Sequence, residues 1–207
     1  MERLKKLPYT LSTAFVMICL SACSAMTASD SPPVEDTTPE GLKSVIVGAG
    51  CFWCVEAFFE KQPGVVEAIS GYAGGERPNP SYKEVSRGAT KHAEVVKVIY
   101  DPTKTDLRTL IDFFWTTHDV SRGDGVWPDF GPQYRSILLY ADSEELAIFE
   151  ASKEAFSEVQ GVKIATEISK LDIFYPAENY HQDFAQNNPK NRYIQNILNP
   201  KLKKLGI

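Results

Sequence analysis

The chain has 207 residues, of which 43% are hydrophobic and 24% charged, and its formal net charge is −5 at pH 7. This is the composition of an ordinary soluble protein with room for one well-sized hydrophobic core, so we expect a single domain of enzyme size. The excess of acidic side chains argues against a nucleic-acid-binding function, because phosphates favour a basic surface.

The N-terminal segment has the features of a bacterial export signal. Basic residues Arg3, Lys5 and Lys6 precede an apolar run over residues 11–20 that is too short to span a bilayer. The run ends in Leu-Ser-Ala-Cys at residues 20–23, which resembles the lipobox of bacterial lipoproteins. We therefore predict a lipoprotein signal peptide over residues 1–22 and lipidation of Cys23. The alternatives are an ordinary signal peptide cleaved nearby, or an uncleaved anchor, with Cys23 incidental.

The residues after Cys23 predict a location and a domain boundary. Ser24, rather than Asp, after the cysteine favours the outer membrane, so the expected location is the bacterial cell envelope, lipid-anchored and facing the periplasm. Residues 24–40 are rich in Ser, Thr, Pro and acidic residues without apolar periodicity, which is typical of a flexible tether. We predict a lipidated N-terminus and tether over residues 23–42 and one catalytic domain over residues 43–207.

Apolar periodicity and turn residues predict the elements of this domain in chain order. The expected strands cover residues 44–47, 65–72, 93–100, 134–140 and 164–171. The expected helices cover residues 51–61, 107–118 and 143–159. A Gly/Pro/Asn-rich loop over residues 73–91 is longer than a hairpin needs, which is typical of a functional loop. Residues 188–207 are expected to form a loop with one short helix and a basic end.

The order β-α-β-β-α-β predicts the fold class. It is the split βαβ arrangement, in which helices cover one face of a mixed or antiparallel sheet. We therefore expect an α+β two-layer sandwich with a ferredoxin-like core and long loops.

Two cysteines carry the chemistry of the predicted domain. Once residues 1–22 and Cys23 are set aside, only Cys51 and Cys54 remain of the four cysteines, spaced C-x-x-C. Gly48-Ala49-Gly50 places Cys51 at the start of a helix, where backbone N–H groups and the helix dipole stabilise a thiolate. We therefore expect a lowered pKa at Cys51, which makes it the better nucleophile of the two.

Three structural interpretations of this pair compete with the functional one: a static disulfide, half of a zinc site, or two core cysteines. A zinc site lacks ligands, because there is no second cysteine pair and His92, His118 and His181 are scattered along the chain. A static disulfide is common in exported proteins, but one that closes so short a loop adds little stability. We favour functional thiols.

The string Gly-Cys-Phe-Trp-Cys-Val-Glu at residues 50–56 resembles the start of the A-type peptide methionine sulfoxide reductases. Further motifs of this family follow in order across almost the whole predicted domain. They are Gly-Tyr-Ala-Gly-Gly at residues 71–75, Pro-Ser-Tyr at 80–82, His-Ala-Glu-Val-Val at 92–96, Tyr-Asp-Pro at 100–102, His-Asp at 118–119, Gly-Pro-Gln-Tyr-Arg-Ser at 131–136 and Ala-Glu-Asn-Tyr-His-Gln at 177–182.

The resemblance implies that the protein reduces methionine S-sulfoxide, in proteins and possibly as the free amino acid. By the family pattern, Cys51 attacks the sulfoxide sulfur and becomes a sulfenic acid, while Glu94 hydrogen-bonds or protonates the oxygen. Tyr82 and Tyr134 match the hydroxyl groups that assist Glu94. A carboxyl group that acts in this way at neutral pH needs a raised pKa, which burial among aromatic side chains can supply.

The same resemblance implies the substrate-binding residues. Phe52 and Trp53 match the aromatic walls that receive the methyl group of the substrate. Asp129 is expected to organise the site, and His181 and Glu178 to support it.

Resolution of the sulfenic acid is assigned to Cys54, because the chain lacks the distant C-terminal cysteine of many family members. The product is a Cys51–Cys54 disulfide, which a thioredoxin-like reductant outside the cytoplasm could reduce by thiol–disulfide exchange. We expect no metal and no nucleotide or other cofactor, and a monomer.

Two departures from the family pattern lie near the expected mouth of the site. Lys91 stands where the family has Gly, and residues 120–128 lack the usual Pro-Thr and Gln-Gly-Asn character. Both bear on substrate preference rather than on the central chemistry. Two other functions remain: a general dithiol–disulfide oxidoreductase, which needs no Glu94, and a lipoprotein that binds methionine-rich peptides or acts as an adhesin, which needs no reactive Cys51.

Overall fold

The computed structural model describes residues 38–207. The predicted signal peptide, Cys23 and most of the predicted tether lie outside these residues. Within residues 38–207, no helix is both long enough and apolar enough to cross a membrane.

The strands form one large mixed sheet and one small hairpin. The large sheet contains β1 (Lys43–Ala49), β2 (Val65–Ala73), β3 (Ala93–Tyr100), β6 (Ser136–Tyr140), β7 (Glu167–Lys170) and β8 (Tyr175–Pro176). The hairpin contains β4 (Gly125–Val126) and β5 (Asp129–Phe130). Strand β3 is rich in β-branched side chains, and every one of its residues is buried, so β3 lies at the centre of the core.

Helical segments flank the sheet and the loops. The α-helices are α1 (Phe52–Phe59), α2 (Tyr82–Val85), α3 (Leu107–Phe114), α4 (Ser143–Gln160), α5 (Phe184–Asn187) and α6 (Asn199–Leu205). Two 3₁₀ turns cover Pro132–Tyr134 and Asn179–His181, and a π-helical turn covers Ile194–Leu198.

The strand order β7-β6-β1-β3-β2-β8 confirms the predicted α+β class. The inner strands β6-β1-β3-β2 pair antiparallel, with α1 and α3 in the crossovers, which is the split βαβ order; only β7 pairs parallel, to β6. Alternate strand residues such as Val45 and Val47 pack with α1, α3 and α4, whereas Ile46 belongs to a smaller cluster covered by Leu171 and Phe174.

Several predicted segments differ in the structure. The helix expected over residues 107–118 ends at Phe114, and the strand expected over residues 164–171 covers only Glu167–Lys170. The strand expected over residues 134–140 begins at Ser136, because Pro132 starts a 3₁₀ turn. The C-terminal stretch is more helical than expected, with the π-helical turn running directly into α6. Its Ile194 and Leu198 are buried against Cys54 and Phe58, so this stretch forms part of the core beside the thiols.

Candidate active site

The turn between β1 and α1 places both cysteines on one helical turn. Gly50 adopts φ +87°, and a Cβ there would come within 2.9 Å of the Cβ of Val126, so this close turn requires glycine. Cys51 is the N-cap of α1, and its carbonyl accepts the amide N–H of Cys54 at 3.0 Å. Both cysteines are free and buried, with exposed fractions of 8% for Cys51 and 1% for Cys54.

The lowered pKa that the sequence predicted for Cys51 is wrong for the resting protein. Burial raises the pKa of the Cys51 thiol, and a hydrogen bond with Cys54 and the charges of Glu94 and Asp129 raise it further. The thiol of Cys54 has a lowered pKa, first because of its hydrogen bond with Cys51 and also because of the nearby Lys201 ammonium group. The position at the helix start therefore does not decide the protonation of Cys51.

Glu94 lies on β3 beside the start of α1. Its Oε2 accepts the backbone N–H of Phe52 at 3.1 Å, which is one of the N–H groups that the first turn of a helix leaves unpaired. The side chain is only 1% exposed. Burial, partly offset by this hydrogen bond, raises the pKa of Glu94 to about 8, so the carboxyl group is mostly protonated at pH 7. This agrees with the raised pKa expected of a proton donor.

Tyr82 and Tyr134 lie within electrostatic range of both Glu94 and Cys51. Tyr82 begins α2, and Tyr134 ends a 3₁₀ turn before β6. Burial and the Glu94 charge raise the pKa of Tyr82 to about 12, and they raise that of Tyr134 as well. Both hydroxyl groups therefore stay protonated at neutral pH and can act as hydrogen-bond donors.

Aromatic rings surround the start of α1. The ring of Phe52, which is 1% exposed, lies 4.9 Å from His181 and 6.4 Å from Tyr82, centroid to centroid. Trp53 stacks on Phe184 at 3.7 Å, and its Nε1–H donates to His181 Nδ1 at 3.1 Å. Burial lowers the pKa of His181, so its neutral ring belongs to an apolar wall suited to a methyl thioether.

Glu178 connects the loop that carries His181 to β2 and to the start of α2 through two hydrogen bonds. Its Oε2 accepts the hydroxyl hydrogen of Tyr72 at 2.8 Å, and its Oε1 accepts the backbone N–H of Tyr82 at 2.9 Å. The following Gln182 donates through Nε2 to the carbonyl of Ser70 at 3.0 Å and accepts the Ser70 amide at 2.9 Å. The motif at residues 177–182 thus fixes the loop that carries His181 and the start of α2.

Asp129 contacts Tyr193, which lies outside the family motifs. Its Oδ2 accepts a hydrogen bond from the hydroxyl of Tyr193, and burial raises the pKa of Asp129. The same hydroxyl lies 3.9 Å from Cys54 Sγ. Tyr193 was missed because it falls outside the recognised motifs; its signal in the sequence is its place just before the apolar Ile194 and Leu198.

Of the two departures from the family pattern, the structure places the segment over residues 120–128 beside this site. Lys91 adopts the left-handed φ of +61°, which glycine tolerates without steric cost. Val126, in the segment over residues 120–128, packs on Gly50, and the neighbouring Trp127 is 62% exposed. The hairpin β4–β5 therefore lies directly beside the turn that carries Cys51.

The structure brings the site residues predicted within residues 43–207 into this one region. Cys23 lies outside the described residues. His118 lies elsewhere, with its Nε2 at 2.7 Å from Ser136 Oγ and its pKa lowered by burial to about 4. Across residues 38–207, no group of three or more His, Cys, Asp or Glu side chains is arranged to hold a metal ion.

Comparison with known proteins identifies the family. Residues 43–206 match the family described as "Peptide methionine sulfoxide reductase". The peptide methionine sulfoxide reductase MsrA of Haloquadratum walsbyi is 44% identical over 163 residues, which cover 79% of this chain and 94% of that protein.

Two solved structures have similar folds. The crystal structure of Mxr1 from Saccharomyces cerevisiae in reduced form is 38% identical, has a TM-score of 0.70, and is matched over 74% of this chain and 89% of that chain. The structure of Mxr1 in complex with Trx2 is 29% identical, has a TM-score of 0.51, and is matched over 71% and 87% of the two chains. The chain therefore belongs to the peptide methionine sulfoxide reductase family, whose members are oxidoreductases.

Proposed function

We propose that the protein reduces the S epimer of methionine sulfoxide in oxidised proteins and peptides, with Cys51 as nucleophile and Glu94 as proton donor. The observation that carries this proposal is the buried Glu94 carboxyl, held on the Phe52 amide at the start of the helix capped by Cys51. Dithiol–disulfide exchange has no sulfoxide oxygen to protonate, so that alternative function does not require Glu94 as a proton donor.

The first step forms methionine. Loss of one proton from the Cys51–Glu94 pair gives the reactive form, with a thiolate on Cys51 and a carboxylic acid on Glu94. The thiolate attacks the sulfoxide sulfur while Glu94 protonates the oxygen, and the Tyr82 and Tyr134 hydroxyls donate hydrogen bonds to the same oxygen. Methionine leaves as Cys51 becomes a sulfenic acid, so Cys51 is oxidised by two electrons and the substrate is reduced by two.

Substrate binding depends on the aromatic wall. Phe52 and Trp53 receive the methyl group, and Asp129 and His181 order the surrounding side chains. The two epimers at sulfur differ in which substituent meets the aromatic wall when the oxygen faces Glu94. This arrangement favours one epimer, which the family resemblance identifies as S.

The second step forms a Cys51–Cys54 disulfide. Cys54 lies one helical turn from Cys51, and its lowered pKa favours attack on the sulfenic acid. A thioredoxin-like protein then reduces the disulfide by exchange. The solved complex of the related Mxr1 with Trx2 supports a partner of this kind. The two thiols carry the electrons, so the reaction needs no metal or other cofactor.

The proposed location is the bacterial cell envelope, with Cys23 as the lipid anchor and the monomeric domain facing the periplasm. The support is the Leu-Ser-Ala-Cys sequence at residues 20–23, after a basic and then apolar segment. Mass spectrometry of the protein from bacterial membranes should detect a lipid-modified Cys23 at the N-terminus. Cys23→Ala should release the domain from the membrane, and a variant that stays bound would contradict the anchor.

The activity is tested with separate S and R epimers of a methionine sulfoxide peptide and dithiothreitol as reductant. The soluble domain should reduce the S epimer only, and Cys51→Ser should be inactive. If the folded domain turns over neither epimer, the proposal is wrong and general dithiol exchange becomes the better account.

A further inference from the structure

Tyr193 lies between the resolving thiol and an acidic side chain. Its hydroxyl accepts the thiol hydrogen of Cys54, with 3.9 Å between Sγ and Oη, and donates to a carboxylate oxygen of Asp129. Cys54 is hydrogen-bonded in turn to Cys51. These four side chains form one continuous hydrogen-bonded chain that leads from the nucleophile to Asp129.

Packing fixes Tyr193 in this place. Its ring meets Trp53 edge-on, with centroids 6.0 Å apart, and Ile194 and Leu198 share a buried cluster with Cys54. Because Cys54 is 1% exposed, solvent has poor access to its thiol proton. A base for Cys54 therefore has to be supplied by the protein, and Asp129 is within reach through a single hydroxyl group.

We propose that Tyr193 is a positioning residue for the resolving step, which holds Cys54 against Cys51 and passes the Cys54 proton to Asp129. The inference rests on the proposed function, because the sulfenic acid on Cys51 is what Cys54 attacks. It gives the C-terminal stretch, which lacks a cysteine, a direct part in recycling the enzyme.

The resolving step converts the Cys51 sulfenic acid and the Cys54 thiol into a disulfide and water. Cys54 Sγ bonds to Cys51 Sγ as the sulfur–oxygen bond of the sulfenic acid breaks, so Cys54 is oxidised and the sulfenic sulfur is reduced. The thiol proton of Cys54 moves to the Tyr193 oxygen while Tyr193 gives its own proton to Asp129. The hydroxide that leaves Cys51 takes up a proton from solvent, and Asp129 later returns the proton it received to solvent, so the net products are a disulfide and water.

The test is a single turnover without reductant, in which methionine and the Cys51–Cys54 disulfide are measured separately after a thiol-blocking quench. Tyr193→Phe keeps the ring against Trp53 and removes only the hydroxyl group. It should form methionine at the wild-type rate but form the disulfide about 10²-fold more slowly, with accumulation of sulfenic acid. Tyr140→Phe, at the end of β6 remote from Cys51, is the matched control and should leave both rates unchanged.

The pH profile separates proton transfer from simple packing. In Tyr193→Phe the protein no longer supplies a base, so the Cys54 thiolate can form only by slow loss of its proton to hydroxide from solvent. The disulfide rate in this variant should therefore rise about tenfold per pH unit. Asp129→Asn should give the same steeper profile. A wild-type disulfide rate in Tyr193→Phe, or an equal loss of methionine formation, would overturn the role of Tyr193. Absence of methionine from the wild type would instead overturn the proposed function.

Discussion

Glu94 and Phe52 are joined by a hydrogen bond of 3.1 Å from the Phe52 amide to Glu94 Oε2, across 42 residues of sequence. The bond fixes the buried carboxyl group of β3 to the first turn of α1, which Cys51 caps. The proposed proton donor is therefore fixed to the backbone of the helix that carries the proposed nucleophile. This arrangement is what a preorganised site requires.

Glu94→Gln removes the acidic proton and keeps the shape and the acceptor for the Phe52 amide. We expect methionine formation to fall by about 10²–10⁴-fold, the usual contribution of a general acid, while the fold is retained. Rapid-quench measurement of methionine from the S-sulfoxide peptide, with circular dichroism for the fold, checks this. Full activity in the folded variant would exclude Glu94 as the proton donor.

The pH dependence of kcat/KM should be bell-shaped, because the reactive form carries one proton on the Cys51–Glu94 pair. At low pH both groups are protonated and the pair is inactive. The rate should therefore rise as pH passes through about 8, the pKa of Glu94, where the pair loses its first proton. It should fall again above the raised pKa of Cys51, where the last proton is lost. Glu94→Gln should lack the ionisation near 8, and a wild-type rate that is flat from pH 6 to 9 would contradict the assignment.

Lys91→Gly should stabilise the protein. Lys91 adopts φ +61°, a conformation that costs a residue with a Cβ about 1–2 kcal/mol. Glycine removes this cost, but its greater conformational freedom stabilises the unfolded state by about 0.4–1 kcal/mol. The free energy of unfolding in urea should rise by about 0.5–1 kcal/mol. Lys91→Ala, which removes the contact of Nζ with Glu76 but keeps the Cβ, should show no gain. An equal gain in both variants would assign the effect to charge instead.

Glu178→Gln should lower activity, although we do not expect this side chain to contact the substrate. The carboxylate accepts the Tyr72 hydroxyl and the Tyr82 amide, and the weaker acceptor should let Tyr82 move away from Glu94. We expect kcat to fall by up to about 10²-fold, as when a reacting group is displaced by about 1 Å. Glu158→Gln, an exposed position on α4, is the control for loss of a negative charge. Equal activity of both variants would show that Glu178 has no positioning role.

Local patterns in the sequence were enough to predict the core of the fold and the cysteines. The β-branched runs and Gly48-Ala49-Gly50 predicted β1, α1 and the place of Cys51 at the helix start. The protonation of Cys51 was predicted wrongly, because its burial and the charge of Glu94 arise when β3 packs beside α1. Tyr193 was missed because it falls outside the family motifs and its contact with Cys54 spans 139 residues of sequence.

In the proposed reaction, Cys51 takes the oxygen of methionine sulfoxide and Cys54 resolves the sulfenic acid that forms. The most direct test is the amount of methionine formed from excess S-sulfoxide peptide in the absence of reductant, with mass spectrometry of the protein. We expect one methionine per wild-type molecule with a Cys51–Cys54 disulfide, one per Cys54→Ser molecule with a sulfenic acid on Cys51, and none from Cys51→Ser. Methionine formed by Cys51→Ser, or a wild-type protein that forms methionine with both thiols still free, would contradict the account.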